Sequence, residues 1–140
     1  MKLAIYLYTA VLSICPLLQA EPTANLKVHL KGLSSKGGVI LLGLYHDETT
    51  WLEKPARGSK SDARGTESTV ELKGLEPGTY AISVYQDINS DGVLNCTFFG
   101  MPKEPYAFSN NAAGTFGPAS WEKVSFLLKE GDNEIRIDLD

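Results

Sequence analysis

The chain of 140 residues contains only 2 cysteines and 2 histidines. Cys15 lies in an apolar N-terminal stretch that we expect to be removed, so Cys96 would be the single thiol of the remaining protein. A single thiol excludes an intramolecular disulfide. The shortage of Cys and His also argues against a zinc site, which uses several such ligands. We expect Cys96 to be partly buried as a small apolar residue.

Recognisable catalytic motifs and an excess of positive charge are also missing. The sequence has no Gly-x-Ser-x-Gly turn, no zinc-protease helix and no phosphate-binding loop. Ser120-x-x-Lys123 stands without the partner motifs of the acyl-enzyme class that uses this spacing. The 13 basic residues are outnumbered by 17 acidic residues, for a formal charge of −4. Nucleic acids and anionic membranes attract basic patches, so neither is expected as a partner.

Residues 1–20 predict a cleaved secretory signal. Lys2 supplies a short positive start, Leu3–Leu18 is an almost unbroken apolar run, and Ala20 is a small residue at the expected cut. The run is short for a spanning helix, which needs about 20 residues, so no stable membrane insertion is expected after cleavage. Loss of Lys2 leaves 12 of the 13 bases against all 17 acids, a formal charge of −5. We expect residues 21–140 to form a single monomeric domain in the periplasm or outside the cell.

The rest of the chain predicts an all-β fold, because most of its apolar residues alternate with polar ones. Asp47–Gly65 is polar and is expected to be a long excursion with one helical turn near Thr50–Glu53. Pro77 and Gly78 suit a type II turn, which would make Thr66–Tyr85 a hairpin. The count and spacing of strands favour an antiparallel β-sandwich of about 6–8 strands. The strands are expected at Leu26–Leu33, Val39–Tyr45, Thr66–Leu72, Tyr80–Asp87, Glu122–Lys129 and Asn133–Leu139.

The most informative segment is Asp87–Asn95, which reads Asp-Ile-Asn-Ser-Asp-Gly-Val-Leu-Asn. Oxygen-bearing side chains at alternate positions, followed by a glycine, are typical of the first half of a calcium loop. Gly92 would permit the sharp turn that brings the donors around one point. The expected ligands are Asp87, Asn89 and Asp91 through their side chains, Val93 through its carbonyl, and Asn95 directly or through water.

The calcium loop is incomplete as a helix–loop–helix site, because Phe98 occupies the position of the bidentate Glu. Glu104 or the Asp47–Glu48 pair would have to complete the shell, and we choose Glu104. Two carboxylates within the loop suggest weak Ca²⁺ binding, with a Kd on the order of 10⁻⁴–10⁻³ M. The alternative is an ordinary turn in which Asn and Asp side chains bond to their own backbone.

Phe98–Trp121 combines six large aromatic residues with glycines and prolines. So many aromatic residues predict an ordered segment, whereas the glycines and prolines prevent long regular elements. We therefore expect a long loop that packs over one end of a sheet. Trp51, Tyr106 and Trp121 could instead expose a face that binds sugars, although aromatic rings more often form a core or lid.

Three motifs resemble those of a bacterial exported family catalogued as domain of unknown function 2141. They are Leu75-x-Pro-Gly-x-Tyr-Ala81, Asp87-x-Asn-x-Asp-Gly-x-Leu94, and Phe99-Gly-x-Pro-x-Glu-Pro-Tyr-x-Phe-Ser-Asn-Asn111 with Phe116-Gly-Pro118. The resemblance implies a prealbumin-like or immunoglobulin-like sandwich in an extracytoplasmic protein, and it implies no activity. The chain departs from the family pattern at Gln86, where a histidine would be expected, which removes one possible metal ligand.

Together these observations favour a non-enzymatic exported module that is stabilised by calcium and that binds a protein or glycan, or supports an assembly of the cell envelope. The alternative is a sugar-binding protein or a hydrolase whose cleft lies between Asp87–Asn95, which we call the acidic loop, and Phe98–Trp121. In a hydrolase, Asp87, Asp91 and Glu104 would be the carboxylates available for acid–base chemistry.

Overall fold

The computed structural model describes residues 19–139, and these form eight strands in two sheets. The predicted secretory signal lies outside the described residues except for its last two positions. The first sheet has the order β4-β1-β8, and the second has the order β3-β2-β5-β6, with β7 also paired to β5. The strands are β1 (Ala24–Lys31), β2 (Val39–Tyr45), β3 (Arg57–Asp62), β4 (Glu67–Leu75), β5 (Gly78–Asp87), β6 (Tyr106–Phe108), β7 (Phe126–Leu128) and β8 (Gly131–Asp138).

The all-β sandwich predicted from the sequence is confirmed, with one departure from a purely antiparallel arrangement. β1 pairs with β8 in parallel, from Ala24 opposite Gly131 to Lys31 opposite Asp138. The main core lies between the sheets and is built from the alternating apolar residues of the strands. Three short helical segments, Glu48–Thr50, Ser109–Asn111 and α1 (Trp121–Val124), lie outside the strands. None of the helical segments in residues 19–139 has the length and hydropathy to cross a bilayer.

The predicted hairpin over Thr66–Tyr85 is wrong, because its two strands belong to different sheets. β4 pairs with β1, whereas β5 pairs with β2. Gly74 has a φ of 67°, and the register of β4 against β1 shifts beside it, so β4 carries a bulge near its end. Gly78 is close to fully extended at a φ of 159°, which is incompatible with the expected type II turn.

Two further expectations need correction. The polar excursion Asp47–Gly65 contains β3, which forms the edge of the second sheet. The expected strand Glu122–Lys129 is divided into α1 and the short β7. In both places the local pattern was overridden by tertiary contacts: β3 pairs with β2, and Val124 in α1 is buried in a second apolar cluster.

β5 positions the functional residues because its two faces differ. Tyr80, Ile82 and Val84 point into the main core. The alternate residues face outward, where Ala81 is covered by a second apolar cluster and Ser83 and Tyr85 border a groove. The acidic loop begins at Asp87, where the strand ends.

Candidate functional site

Asp87 organises the acidic loop through the backbone. Its side chain is 2% exposed and accepts the N–H of Gly92 at 2.7 Å and that of Asp91 at 3.2 Å. These bonds require the loop to fold back over the end of β5. Ser90 and Gly92 make this possible with φ values of 57° and 83°, in the left-handed region.

Asn89, Asp91 and Asn95 converge on one another at the exposed side of the loop. Asp91 Oδ2 accepts from the side-chain amide of Asn95 at 2.8 Å and from that of Asn89 at 3.1 Å. Asp91 Oδ1 accepts the backbone N–H of Val93 at 3.0 Å. The hydrogen bond from Asn95, followed by that from the Val93 N–H, lowers the pKa of Asp91. The side-chain amides of Asn89 and Asn95 are therefore held around the Asp91 carboxylate, which stays ionised.

Glu104 joins the two ends of the loop. It is 7% exposed, and it accepts the N–H of Ile88 at 2.9 Å and the N–H of Asn95 at 3.0 Å, one on each carboxylate oxygen. The sequence predicts Glu104 as the ligand that completes the calcium shell, and here both of its oxygens bond to backbone N–H groups of the loop. Val93 is 59% exposed, and its backbone N–H donates to the carboxylate of Asp91.

The six predicted calcium ligands thus divide into two groups. Asn89, Asp91 and Asn95 share one point, and Val93 joins them through its N–H bond to Asp91, whereas Asp87 and Glu104 direct their oxygens at backbone N–H groups. Within residues 19–139 no group of three or more His, Cys, Asp or Glu side chains is arranged to hold a metal ion. The donor chemistry still fits calcium, because a 180° rotation of each side-chain amide would replace its NH₂ with its oxygen.

The acidic loop concentrates negative charge. None of the ion pairs found among the described residues involves Asp87, Asp91 or Glu104. Burial raises the pKa of the Tyr85 phenol, and the Asp87, Glu104 and Asp91 carboxylates raise it further. The Tyr85 hydroxyl donates to the carbonyl of Gly92 at 3.1 Å, inside the same loop. Lys103 lines a pocket with Asn89, Asn95 and Glu104, but among the described residues it forms no ion pair with the loop carboxylates. This end of the sheet therefore favours cations.

The Asp47–Glu48 pair lies too far away to complete a shell around this loop. In the pairing of β2 with β5, Tyr45 lies opposite Ala81 and Val39 lies opposite Asp87. The six residues from Ala81 to Asp87 span about 20 Å at the usual rise of a strand. Asp47 caps the Glu48–Thr50 turn by accepting from the backbone N–H and the hydroxyl of Thr49, and these bonds lower its pKa.

Gln86 has a structural role that explains its place beside Asp87. It is fully buried and points away from the acidic loop, toward the turn between β1 and β2. Its side chain accepts the N–H of Ser34 at 2.7 Å and donates to the carbonyls of Ser34 and Gly37. A histidine at this position would face the same turn, so the residue is not a missing metal ligand.

Next to the acidic loop, the outer face of the second sheet carries a groove of about 690 Å³. We call it the apolar groove. No lining residue is charged, although 21% of the chain is charged. The lining residues are Leu52, Ser83, Val84, Tyr85, Leu94, Cys96, Phe99, Gly100, Met101, Pro102, Tyr106, Phe108, Gly114, Phe116, Gly117 and Pro118.

Large apolar side chains are exposed around this groove. Phe116 is completely exposed, Phe98 and Phe99 are 97% and 87% exposed, and Met101 is 66% exposed. Phe98 and Phe99 contact each other edge to face, with ring centroids 5.5 Å apart. The expectation that the aromatic loop packs down is therefore wrong for these phenylalanines.

The other aromatic residues form a packed cluster at one end of the groove. Trp51 contacts Tyr45, Phe108 and Trp121 edge to face, with centroids 4.9, 5.6 and 6.1 Å apart. The Trp51 indole also donates to the carbonyl of Ala119 at 3.0 Å. Tyr106 packs against Phe108 at 5.9 Å. Trp51 and Trp121 thus pack against each other edge to face, and they do not form a flat exposed platform for a sugar.

Cys96 is exposed, which contradicts the expectation of partial burial. It lines the apolar groove, and its thiol donates weakly to the carbonyl of Leu94 at 3.6 Å. The isolated bridge between Cys96 and Pro102 closes the loop that carries Phe98 and Phe99.

The fold and the site define a β-sandwich with an acidic loop and an apolar groove on one sheet. Residues 28–136 match the family model described as "Uncharacterized protein conserved in bacteria (DUF2141)", and the chain belongs to this family. No curated protein and no solved structure matches the chain.

Proposed function

We propose that this protein is a non-enzymatic, exported binding module that holds an apolar partner in the groove on its second sheet. The observation that carries the proposal is the exposure of Phe99, Met101 and Phe116 in the lining of an uncharged groove. Exposed apolar residues are common singly, but a contiguous group beside a concave surface is typical of an interaction site. The predicted secretory signal supports a place in the cell envelope or outside the cell.

We further propose that calcium stabilises the acidic loop, which continues into one wall of the groove. Asn89, Asp91 and Asn95 already converge, and none of the ion pairs found among the described residues involves Asp87, Asp91 or Glu104. Buried carboxylates are usually paired, hydrogen-bonded or bound to a cation. A weakly bound Ca²⁺ would therefore fix the loop rather than take part in a reaction.

The hydrolase or sugar-binding alternative would use the same cleft, but its chemistry fits the lining less well. Both oxygens of Asp87 and both of Glu104 are directed at backbone N–H groups, and neither residue lines the groove, so neither is placed to act as a general acid on a substrate there. A sugar presents many hydroxyl groups, and the groove offers few side chains to bond them.

The binding proposal can be tested with Nile red, a neutral dye that brightens in apolar surroundings. Wild-type protein should bind the dye saturably, and the double variant Phe99→Ser with Phe116→Ser should lose most of that binding. Leu127→Ser is the matched control, because Leu127 is 64% exposed on β7 and does not line the groove. Equal dye binding by all three proteins would contradict the proposal.

A further inference from the structure

We infer that the natural occupant of the apolar groove is the unbranched alkyl chain of a lipid whose head group is neutral or zwitterionic. The inference rests on the proposed function, since it assumes that the groove binds an apolar partner. It adds the chemical class of that partner, which follows from the size, the polarity and the electrostatic surroundings of the groove.

The size suits a chain rather than a single side chain. A volume of about 690 Å³ lies within the range of small-molecule sites. A methylene group takes up about as much space as a water molecule, roughly 30 Å³, so there is room for on the order of 20 such groups. A single inserted amino-acid side chain would leave most of the groove unfilled.

The polarity of the groove floor disfavours occupants that need many hydrogen bonds. The floor of the groove is the face of β5, whose backbone groups are already paired on both sides: Val84 lies opposite Leu42 and Ala107. The Tyr85 hydroxyl is bonded to the Gly92 carbonyl. A peptide brings one N–H and one C=O per residue, and burying them unpaired is costly. An alkyl chain brings none.

The surroundings select the head group. Asp87, Asp91 and Glu104 lie beyond Tyr85, because the Tyr85 hydroxyl donates to the carbonyl of Gly92 and the N–H of Gly92 donates to Asp87. The groove itself contains no Lys or Arg that could pair with an anion. An anionic head held at this end would be repelled, whereas a neutral or zwitterionic head would not.

The test is displacement of Nile red from the full protein by lysophosphatidylcholines of increasing chain length, below their micelle concentrations. Affinity should rise between about two- and fourfold with each added methylene. Dodecanoate, which has an anionic head, should bind more weakly than the zwitterionic lipid with the same chain, and the difference should shrink at high salt. An uncharged apolar peptide and a measurement of self-association complete the series.

A charge on the floor of the groove localises the effect. Ser83→Asp should abolish saturable Nile red binding, whereas Thr79→Asp, at an exposed position of the same strand outside the groove, should leave dye binding and its displacement by lipid unchanged. Unfolding curves of both variants show whether the fold is kept.

The outcomes separate the two proposals. If the dye binds in the groove but is displaced only by the peptide, or is excluded by a second copy of the chain, the lipid inference is overturned and the binding module stands. If affinity does not depend on chain length, the inference also fails. If the dye does not bind the groove at all, the proposed function fails first.

Discussion

The carboxylate of Asp87 lies 2.7 Å from the backbone nitrogen of Gly92, five residues further along the chain. Through this bond, the last residue of β5 determines the path of the acidic loop. It therefore also positions Leu94 and Cys96, which follow Gly92 and line the apolar groove. Asp87→Asn would keep one acceptor but place an NH₂ group against a backbone N–H. We expect a loss of about 1–3 kcal/mol in the free energy of unfolding, measured by urea denaturation.

Asp62→Asn is the control for that change, because the Asp62 side chain is 73% exposed and its ion pair with Arg64 lies at the surface. Its effect should be close to zero. Equal losses from the two variants would show that the buried carboxylate has no special role.

Calcium should raise the stability of the folded protein. With a Kd on the order of 10⁻⁴–10⁻³ M, about 10 mM Ca²⁺ adds roughly 1.4–2.7 kcal/mol to the free energy of unfolding, which corresponds to an increase of several degrees in Tm. Thermal unfolding with and without Ca²⁺ measures this increase in Tm. The double variant Asp87→Ala with Asp91→Ala should lose the increase, whereas Asp62→Ala should keep it. An unchanged Tm in the wild type would leave the loop as an ordinary turn.

Tyr85 reports calcium independently of unfolding. Its pKa is raised by burial and by the Asp87, Glu104 and Asp91 carboxylates, so the folded state holds the phenolic proton more tightly than the unfolded state. The resulting stability is present below the normal tyrosine pKa of about 10 and is lost as the pH rises through the higher folded value. A cation in the loop would offset the carboxylates and lower the Tyr85 pKa.

The measurement is ultraviolet titration of tyrosine, with Tyr85→Phe subtracted from the wild type to isolate one group. Calcium should move the difference curve to lower pH. Potassium chloride at matched ionic strength distinguishes specific binding from general screening. A curve that moves equally in both salts would argue against a bound cation.

The aromatic cluster makes its own prediction. Trp51 touches three aromatic rings and donates to Ala119. Trp51→Ala should cost about 2–3 kcal/mol, somewhat less than for a fully buried tryptophan, and Trp51→Phe should cost about 1 kcal/mol through loss of the indole hydrogen bond. Denaturant unfolding measures both, and Leu127→Ala should change stability by less than about 0.5 kcal/mol. If Trp51→Ala has no effect, the cluster is not a core.

The sequence predicted the strands that carry clear alternation and missed those that depend on their neighbours. β2 lies where it was expected, because Val39–Tyr45 is apolar enough to require burial. β3 reads Arg-Gly-Ser-Lys-Ser-Asp and has no buried residue, so no pattern marks it. It is a strand because β2 offers an edge to pair with. Edge strands are often polar, which protects them from further pairing.

The candidate site was predicted in part for a similar reason. The spacing of Asp87, Asn89 and Asp91 depends on local turn chemistry, and the loop lies where the sequence placed it. A prediction of the apolar groove would require knowing which aromatic residues pack against distant parts of the chain and which stay exposed. Phe108 and Trp121 meet Trp51 from distant parts of the chain, whereas Phe99 and Phe116 do not. Composition alone cannot distinguish these two sets.

The parallel pairing of β1 with β8 has a consequence for the order of folding. β1 is the middle strand of its sheet and lies between β4 and β8, which is more than a hundred positions away along the chain. Ladders that join such distant segments form late, since the intervening loop must close first. Until residues 131–138 pair with it, β1 has only one neighbour in its sheet, so we expect the first sheet to be completed after the β2–β5 ladder of the second.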